Sequence, residues 1–475
     1  MSTAAVSKPP AQSTSRMRQI VYAVAIVGLF GAMWPYTQYL SDVKTKADLG
    51  EATIGQIDEG SFVMKLAMIG GFRGLVANAL WLHADELKRE HEWDKLKAVV
   101  DMITKLQPHF LSVWTFQGWN LAYNVSVEWD APEDKYTWIK NGIVFLREGV
   151  NKNKKKPDLV WDTAWTYYHK LGMADEAIIL RRLFHDDVDP ATPDFREDPI
   201  TREIRNDNFQ VAKGWFTRAI KLVEAGNERA ETSIHDDIEY VDKMPDRKGR
   251  PNDLNFRAMP AHAQTRYASA LEKMSKKDIP PLFGQFAKTE WEAALREWVD
   301  FGKHPFPAGN TDKELIQIDD IMNPEHLHST ELSDNQRHWT SRFAEQMHYQ
   351  YWKDRADAER EDQGVEARRL FYEGTLALRS ANFQLALEKY KSGLNLWKDL
   401  LDRHPVYRDD DLNRKDTGEL ARRYVFSLRQ VGEEPPDDMP FKDLYEAVKN
   451  DPSRDPFDQL DAMRITKPAA AGEAK

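Results

Sequence analysis

The chain has 475 residues, no cysteine, and 77 acidic against 66 basic side chains, a net charge of −11. Without cysteine it can hold no disulfide, no thiolate metal site and no cysteine nucleophile. The acidic balance, with no basic stripe to release counterions from a phosphate backbone, argues against nucleic acid as a partner.

Residues 1–18 form a polar leader, and residues 19–41 hold no charged side chain. The chain as a whole is 30% charged, with a mean hydropathy of −0.65. As a helix those 23 residues reach roughly 35 Å, enough to cross a hydrocarbon core of about 30 Å. Arg16 and Arg18 precede the run, while Trp34, Tyr36 and Tyr39 gather at its far end, where amphipathic rings favour the headgroup layer. No small-x-small cleavage site follows, because Trp34, Pro35 and Tyr36 fill that place. The pattern predicts a single transmembrane helix acting as a signal anchor, with the membrane engaged through residues 19–41. Lys8, Arg16 and Arg18 before the helix outnumber Lys44 and Lys46 after it. That bias predicts a single-pass inner (cytoplasmic) membrane protein with its large domain on the non-cytoplasmic side.

A linker at 42–61 leads to a second apolar stretch, Phe62 to Leu82. It contains Lys65 and Arg73 together with Gly70, Gly71 and Gly74, and reads as a first buried helix rather than a second span. From there apolar side chains recur with a period near 3.6 in segment after segment, and alternating strand patterns are scarce. The expected fold is all-α. Its parts are an N-terminal helical-repeat region at 62–225, a helical segment with long loops at 226–335, a C-terminal repeat region at 336–432, and a polar, largely disordered tail at 433–475. Polar stretches at 186–206, 226–262 and 302–335, several with proline or glycine, read as linkers or surface excursions. A short helix is expected near Phe441–Val448.

One internal repeat is explicit. Asn208-Phe209-Gln210-Val211-Ala212 returns as Asn382-Phe383-Gln384-Leu385-Ala386, and Phe216, Ala219 and Leu222 match Tyr390, Gly393 and Leu396 at the same offset. Small and aromatic residues in this order share one helix face. The small ones admit a neighbouring helix and the rings fill the gaps beside them. Together with Leu370, Gly374 and Ala377 upstream, the pattern resembles the helical pair of a tetratricopeptide repeat. A further copy runs from Leu80 through Ala84, Leu87, Trp93, Leu96, Val100, Ile103 and Leu106 to Pro108, with Trp114 and Gly118 opening the next. Ala174 with Ala177, and Ala287, Trp291 and Ala294, are weaker copies. The runs Gly70–Leu75, Leu80–Leu87, Ile103–Phe110 and Trp114–Asn124 together resemble a group of bacterial, planctomycete-type, membrane-anchored tetratricopeptide-like proteins. That resemblance implies a transmembrane helix followed by a tetratricopeptide-like helical-repeat domain, an α-solenoid.

No signature of catalysis stands out. The chain lacks a glycine-rich phosphate loop, a Gly-x-Ser-x-Gly elbow and a His-Glu-x-x-His stretch. His83, Glu86 and Glu90 share a helical face that reads as solvated. Asp409, Asp411 and Asn413 begin like a calcium loop, but Arg414 and Leu420 stand where glycine and glutamate are required. They read instead as an acidic helix N-terminus. No cofactor and no metal are expected.

What remains is a surface. In arrays of this kind the first helix of each pair lines a groove that holds an extended peptide or a partner helix. Register with the family places Trp119, Tyr123, Arg368 and Phe371 on that groove. The sequence is therefore read as a membrane-anchored protein–protein interaction scaffold with a protein or peptide partner. The alternatives are a catalytic or non-catalytic subunit of a membrane-associated enzyme complex, or a structural envelope protein.

Overall fold

A computed structural model describes residues 73–227, 253–272, 281–309 and 314–450. Among them no helix is long and apolar enough to cross a membrane. The anchor expected over 19–41 lies outside the described residues, so the transmembrane part of the expected fold is unsupported and the fold class is corrected to all-α alone. Several of the described helices are amphipathic, those at Trp93–Leu106, Asn208–Glu224 and Phe383–Leu401 among them. Helix α1 (Arg73–Arg89), which takes in the end of the second apolar stretch, leaves Leu75 and Leu82 exposed and ends in Lys88 and Arg89.

The chain divides into two compact units, residues 1–113 and 114–475. In the first, α1 packs on α2 (Trp93–Leu106) across a tight turn. His91 takes a left-handed conformation there (φ 57°), and the Glu92 amide returns to the Leu87 carbonyl at 3.0 Å. Leu96, Val100, Ile103 and Leu106, spaced for one helical face, are all buried.

The second unit begins within α3 (Leu111–Trp119), which widens into a π-helical turn over Asn120–Val125. It packs against α4 (Pro132–Lys152) at very close range because both helices offer glycine. A Cβ on Gly142 would stand 2.7 Å from the Gly118 carbonyl oxygen, and one on Gly149 would stand 2.7 Å from the Trp114 ring. Helix α5 (Pro157–Trp165) ends in a second π-helical turn, Thr166–Lys170, and is followed by α6 (Ala177–Asp186). Helix α5 packs on α7 (Asn208–Glu224), α7 on α8 (Asp253–Leu271), and α8 on α9 (Gln285–Lys303).

Further along come the short α10 (Pro324–Leu327), then α11 (Asp334–Gln346) and α12 (Tyr349–Glu359). Helix α12 lies against α9. The hairpin of α13 (Asp362–Arg379) and α14 (Phe383–Leu401) is followed by α15 (Pro405–Asp409), α16 (Asp411–Gln430) and α17 (Lys442–Val448). The last of these is the short helix expected near Phe441. Asp410 caps α16 by accepting the Leu412 amide, which is the acidic N-terminus read from the sequence.

One packing device recurs. A small residue, a large one four positions on, and a small one three further are all buried on α4 (Gly142, Leu146, Gly149) and α7 (Ala212, Phe216, Ala219). The same triplet is buried on α9 (Ala287, Trp291, Ala294) and α14 (Ala386, Tyr390, Gly393). The α9 copy, weak in sequence, is completely buried. The aligned asparagines differ in role. Asn382 caps α14, whereas Asn208 lies just inside α7, which Asp207 caps, and donates to the Tyr167 carbonyl at 2.9 Å.

The polar stretches are more ordered than their composition suggests. Residues 187–207 form a loop closed by a bridge between Glu197 and Ile204. Phe195 anchors it among the rings of Tyr167 and Phe184, and the Tyr167 hydroxyl donates to the Phe195 carbonyl at 2.6 Å. Within 302–335, β1 (Phe306–Pro307) and β2 (Leu315–Ile316) pair antiparallel and send Phe306 and Ile316 into the core between α9 and α11, where Ile318 of the following 3-10 turn joins them. Pro260 interrupts nothing: α8 runs through it, because burial of Phe256, Ala258 and Ala261 outweighs the one backbone hydrogen bond lost.

Candidate binding surface

Trp119 and Tyr123 are one helical turn apart, and their rings stack at 5.8 Å and 15°. Tyr123 in turn stacks on His169 at 5.8 Å, and its hydroxyl hydrogen-bonds the His169 Nδ1 at 3.2 Å. His169 stacks on Trp165 at 5.0 Å and 9°, and Trp165 on Trp161 at 5.4 Å and 10°. This column of near-parallel rings is built where the two π-helical turns lie. In an α-helix, side chains four apart drift steadily around the axis; one wider turn offsets that drift and holds the rings in line. Lys170 lies against the column, its Nζ 5.2 Å from the Tyr123 ring. Burial, aided by Lys170, lowers the His169 pKa below its ordinary value. Burial also raises the Tyr123 phenol well above its ordinary value.

The column continues as a mixed ribbon. Trp165 meets Tyr168 at 6.0 Å. Burial raises the Tyr168 hydroxyl's pKa against the opposing charge and hydrogen bond of Arg266. Arg266 lies over the Trp352 ring at 5.8 Å, and its buried Nε has no hydrogen-bond partner. Trp352 and Trp298 hold His262 edge-on from two sides, at 5.2 and 4.8 Å. Burial, with a smaller push from Arg266, drives that imidazole down to about 3. Arg355 follows, 5.5 Å from the Trp291 ring, 5.7 Å from Trp352 and 6.0 Å from Tyr407. Its polar neighbours include the Tyr351 hydroxyl and Ser269 Oγ, both at 3.5 Å, and the Glu359 carboxylate at 4.0 Å.

The ribbon ends on a buried ion pair. Glu359, with no exposed surface, accepts from Arg368 Nε at 3.0 Å and from the Tyr407 hydroxyl at 2.8 Å. Arg368 also lies flat over Trp397 at 4.3 Å.

The four residues singled out from sequence therefore fall in three places. Trp119 and Tyr123 are half-buried and stacked together at one end of the ribbon. Arg368 is half-buried at the other end, committed to Glu359. Phe371 is buried in the core, edge-on to Trp397 at 6.2 Å and against the α-carbon of Gly393. Sequence reasoning missed Trp165, His169, Arg266, Trp352 and Arg355. The four-residue spacing of Trp161, Trp165 and His169 was a visible signal for the column; for Arg266 and Arg355 there was none.

Chemically, the ribbon offers π-faces, edges and guanidinium groups. Among the described residues no group of three or more histidine, aspartate or glutamate side chains is gathered as a metal site. His83 and Glu86 face solvent 3.6 Å apart. Compared with known proteins, the chain matches no family model and no curated relative.

Proposed function

We propose that this protein is a helical scaffold, tetratricopeptide-like in its paired helices, that binds a partner protein along the ribbon running from Trp119 to Arg368. One observation carries the reading. Trp119, Tyr123, Trp165, His169, Arg266, Trp352, Arg355 and Arg368 are all half-buried; ring stacking joins the first four, cation–ring contacts join Arg266, Trp352 and Arg355, and Tyr168 and Tyr407 stand between these groups and at Arg368. Tryptophan, tyrosine and arginine dominate the binding energy of protein interfaces because they combine large apolar area with a directed polar edge. The rings are already stacked before a partner arrives, so little side-chain entropy is lost on binding.

The test is site-specific photo-crosslinking in the native host. A photoreactive phenylalanine analogue at Trp119 or Tyr123 should trap a discrete protein adduct, and the same group at Val188, exposed on the loop before α7, should not. The Trp119→Ala, Tyr123→Ala double variant should lose that partner while keeping wild-type helicity. A partner retained in full by the double variant defeats the proposal.

A further inference from the structure

Two arginines lie over one tryptophan, and the loop at 187–207 adds a third whose charge acts on one of them. Arg218 on α7 lies over the Trp215 ring at 5.2 Å, and Arg147 on α4 lies over the same ring at 5.8 Å. Arg202, at the tip of the loop, is held in a left-handed conformation (φ 65°) that a non-glycine residue rarely adopts. The loop is built to keep that shape. Asp198 accepts the Ile200 and Thr201 amides at 2.8 and 3.0 Å, and its carbonyl accepts the Arg202 amide at 2.9 Å. Gly214 lets the loop close on α7, since a Cβ there would stand 2.7 Å from the Asp198 carboxylate.

The acids nearby are already engaged. Asp194 pairs with Arg147, and Glu197 pairs with Arg202 at 2.7 Å. Asp198 is turned into its own loop. Arg218 alone has no carboxylate among the described residues. Burial, Arg202 and Arg147 all act on it, in that order, and all disfavour its charge. The Trp215 indole Nε1 is buried with no hydrogen-bond partner among the described residues. An acidic protein that gathers guanidinium groups around an unpaired one, over an aromatic ring and beside an idle N–H donor, accepts a cost in its empty state that an anion would relieve.

We propose that Arg147 and Arg218 close around one oxyanion, a phosphate monoester or a carboxylate, on the Trp215 face, with Arg202 adding positive charge from the loop. Guanidinium groups match the geometry of both through paired N–H donors. Arg218 supplies the uncompensated charge, Arg202 strengthens the positive field from the loop, and Arg147 is fixed in place by Asp194 and by its 2.8 Å bond to the Asp194 carbonyl. The site is independent of the ribbon.

The experiment is an NMR titration of the full chain, following the Trp215 indole N–H, which Trp215→Phe identifies. Inorganic phosphate and acetate are the probes, added at constant ionic strength against chloride. The indole resonance should shift and saturate. Saturation by phosphate alone assigns a phosphate group, and saturation by acetate as well assigns a carboxylate. Arg218→Gln, which keeps the side-chain stem, should weaken the midpoint about tenfold or more. Arg202→Gly, which keeps the positive φ, should weaken it less. Arg408→Ala, remote and paired with Asp409, should change nothing. Absence of saturation with either anion, or an unchanged midpoint in a folded Arg218→Gln, overturns the proposal.

Discussion

Arg368 meets Glu359 with two guanidinium nitrogens, at a point where the carboxylate has no exposed surface at all. The Tyr407 hydroxyl shares both partners, donating to Glu359 at 2.8 Å and lying 3.1 Å from Arg368. Desolvation opposes the Glu359 charge, but Arg368 outweighs it, and the carboxyl is held below its ordinary pKa. Three elements, α12, α13 and α15, are thereby fixed on one buried charge.

Removing one partner strands the other. Glu359→Ala should destabilise the protein by about 3–5 kcal/mol, because Arg368 and Arg355 remain buried without their anion. Glu359→Met combined with Arg368→Met should recover most of that loss, since well-packed apolar side chains replace a buried pair at little cost. Urea midpoints of the wild type and the two variants decide this. The pH dependence has a definite sign. A depressed carboxyl pKa contributes stability above the unfolded value of 4.5, and that contribution fades as pH falls through the lower folded value.

His404 gives the opposite slope. Its Nδ1 lies 2.8 Å from Asp354 and its Nε2 lies 2.8 Å from Glu361, so only the doubly protonated ring satisfies both. Burial opposes that charge, but the two carboxylates prevail and raise the pKa above 6.5. Stability from this group is complete below pH 6.5 and is lost as pH rises through the folded pKa. The wild-type advantage over His404→Gln in thermal melting should therefore shrink steadily on the alkaline side. A constant difference from pH 6 to pH 9 would show that the ring carries no proton here.

The glycines of α3 and α4 are required by backbone proximity. Gly142→Ala places a methyl group 2.7 Å from the Gly118 carbonyl and 3.0 Å from Ala122 Cβ, and should cost about 1–3 kcal/mol. Gly74→Ala meets nothing closer than Gln107 Nε2 at 3.8 Å and should stay within about 1 kcal/mol of wild type, on the stabilising side. Calorimetric melting separates the two.

Phe195 pins the loop that carries Arg202. With 1% of its surface exposed, Phe195→Ala should cost about 3–5 kcal/mol. The loss should appear first as faster amide exchange across 187–207, before α7 loosens. Exchange that rises uniformly over the whole unit would mean that the loop has no local stability of its own.

Much of the helical framework was legible in the amino-acid pattern. Leu96, Val100, Ile103 and Leu106 announce their helix because a buried face must recur every 3.6 residues. Ala212-Phe216-Ala219 and Ala386-Tyr390-Gly393 announce theirs for the same reason, with close approach added. Trp119 and Tyr123 were visible as a pair one turn apart. These are local signals, set by residues near one another in the chain.

Other features depend on distant partners. The composition of 186–206 suggests a linker, yet Phe195 finds a pocket between Tyr167 and Phe184 and the segment orders around it. Phe371, placed on a groove by register, sits instead in the core against Trp397. A membrane span was read from residues 19–41, which the structure does not describe, and no described helix supplies one. The sequence by itself determined which segments are helical and which faces are apolar, because periodicity is a property of the chain alone. Only the tertiary structure decided that Glu359 is a buried charge, that Arg218 has no carboxylate partner among the described residues, and that Tyr123 meets His169. Each is an electrostatic or stacking relation between segments that only folding brings together.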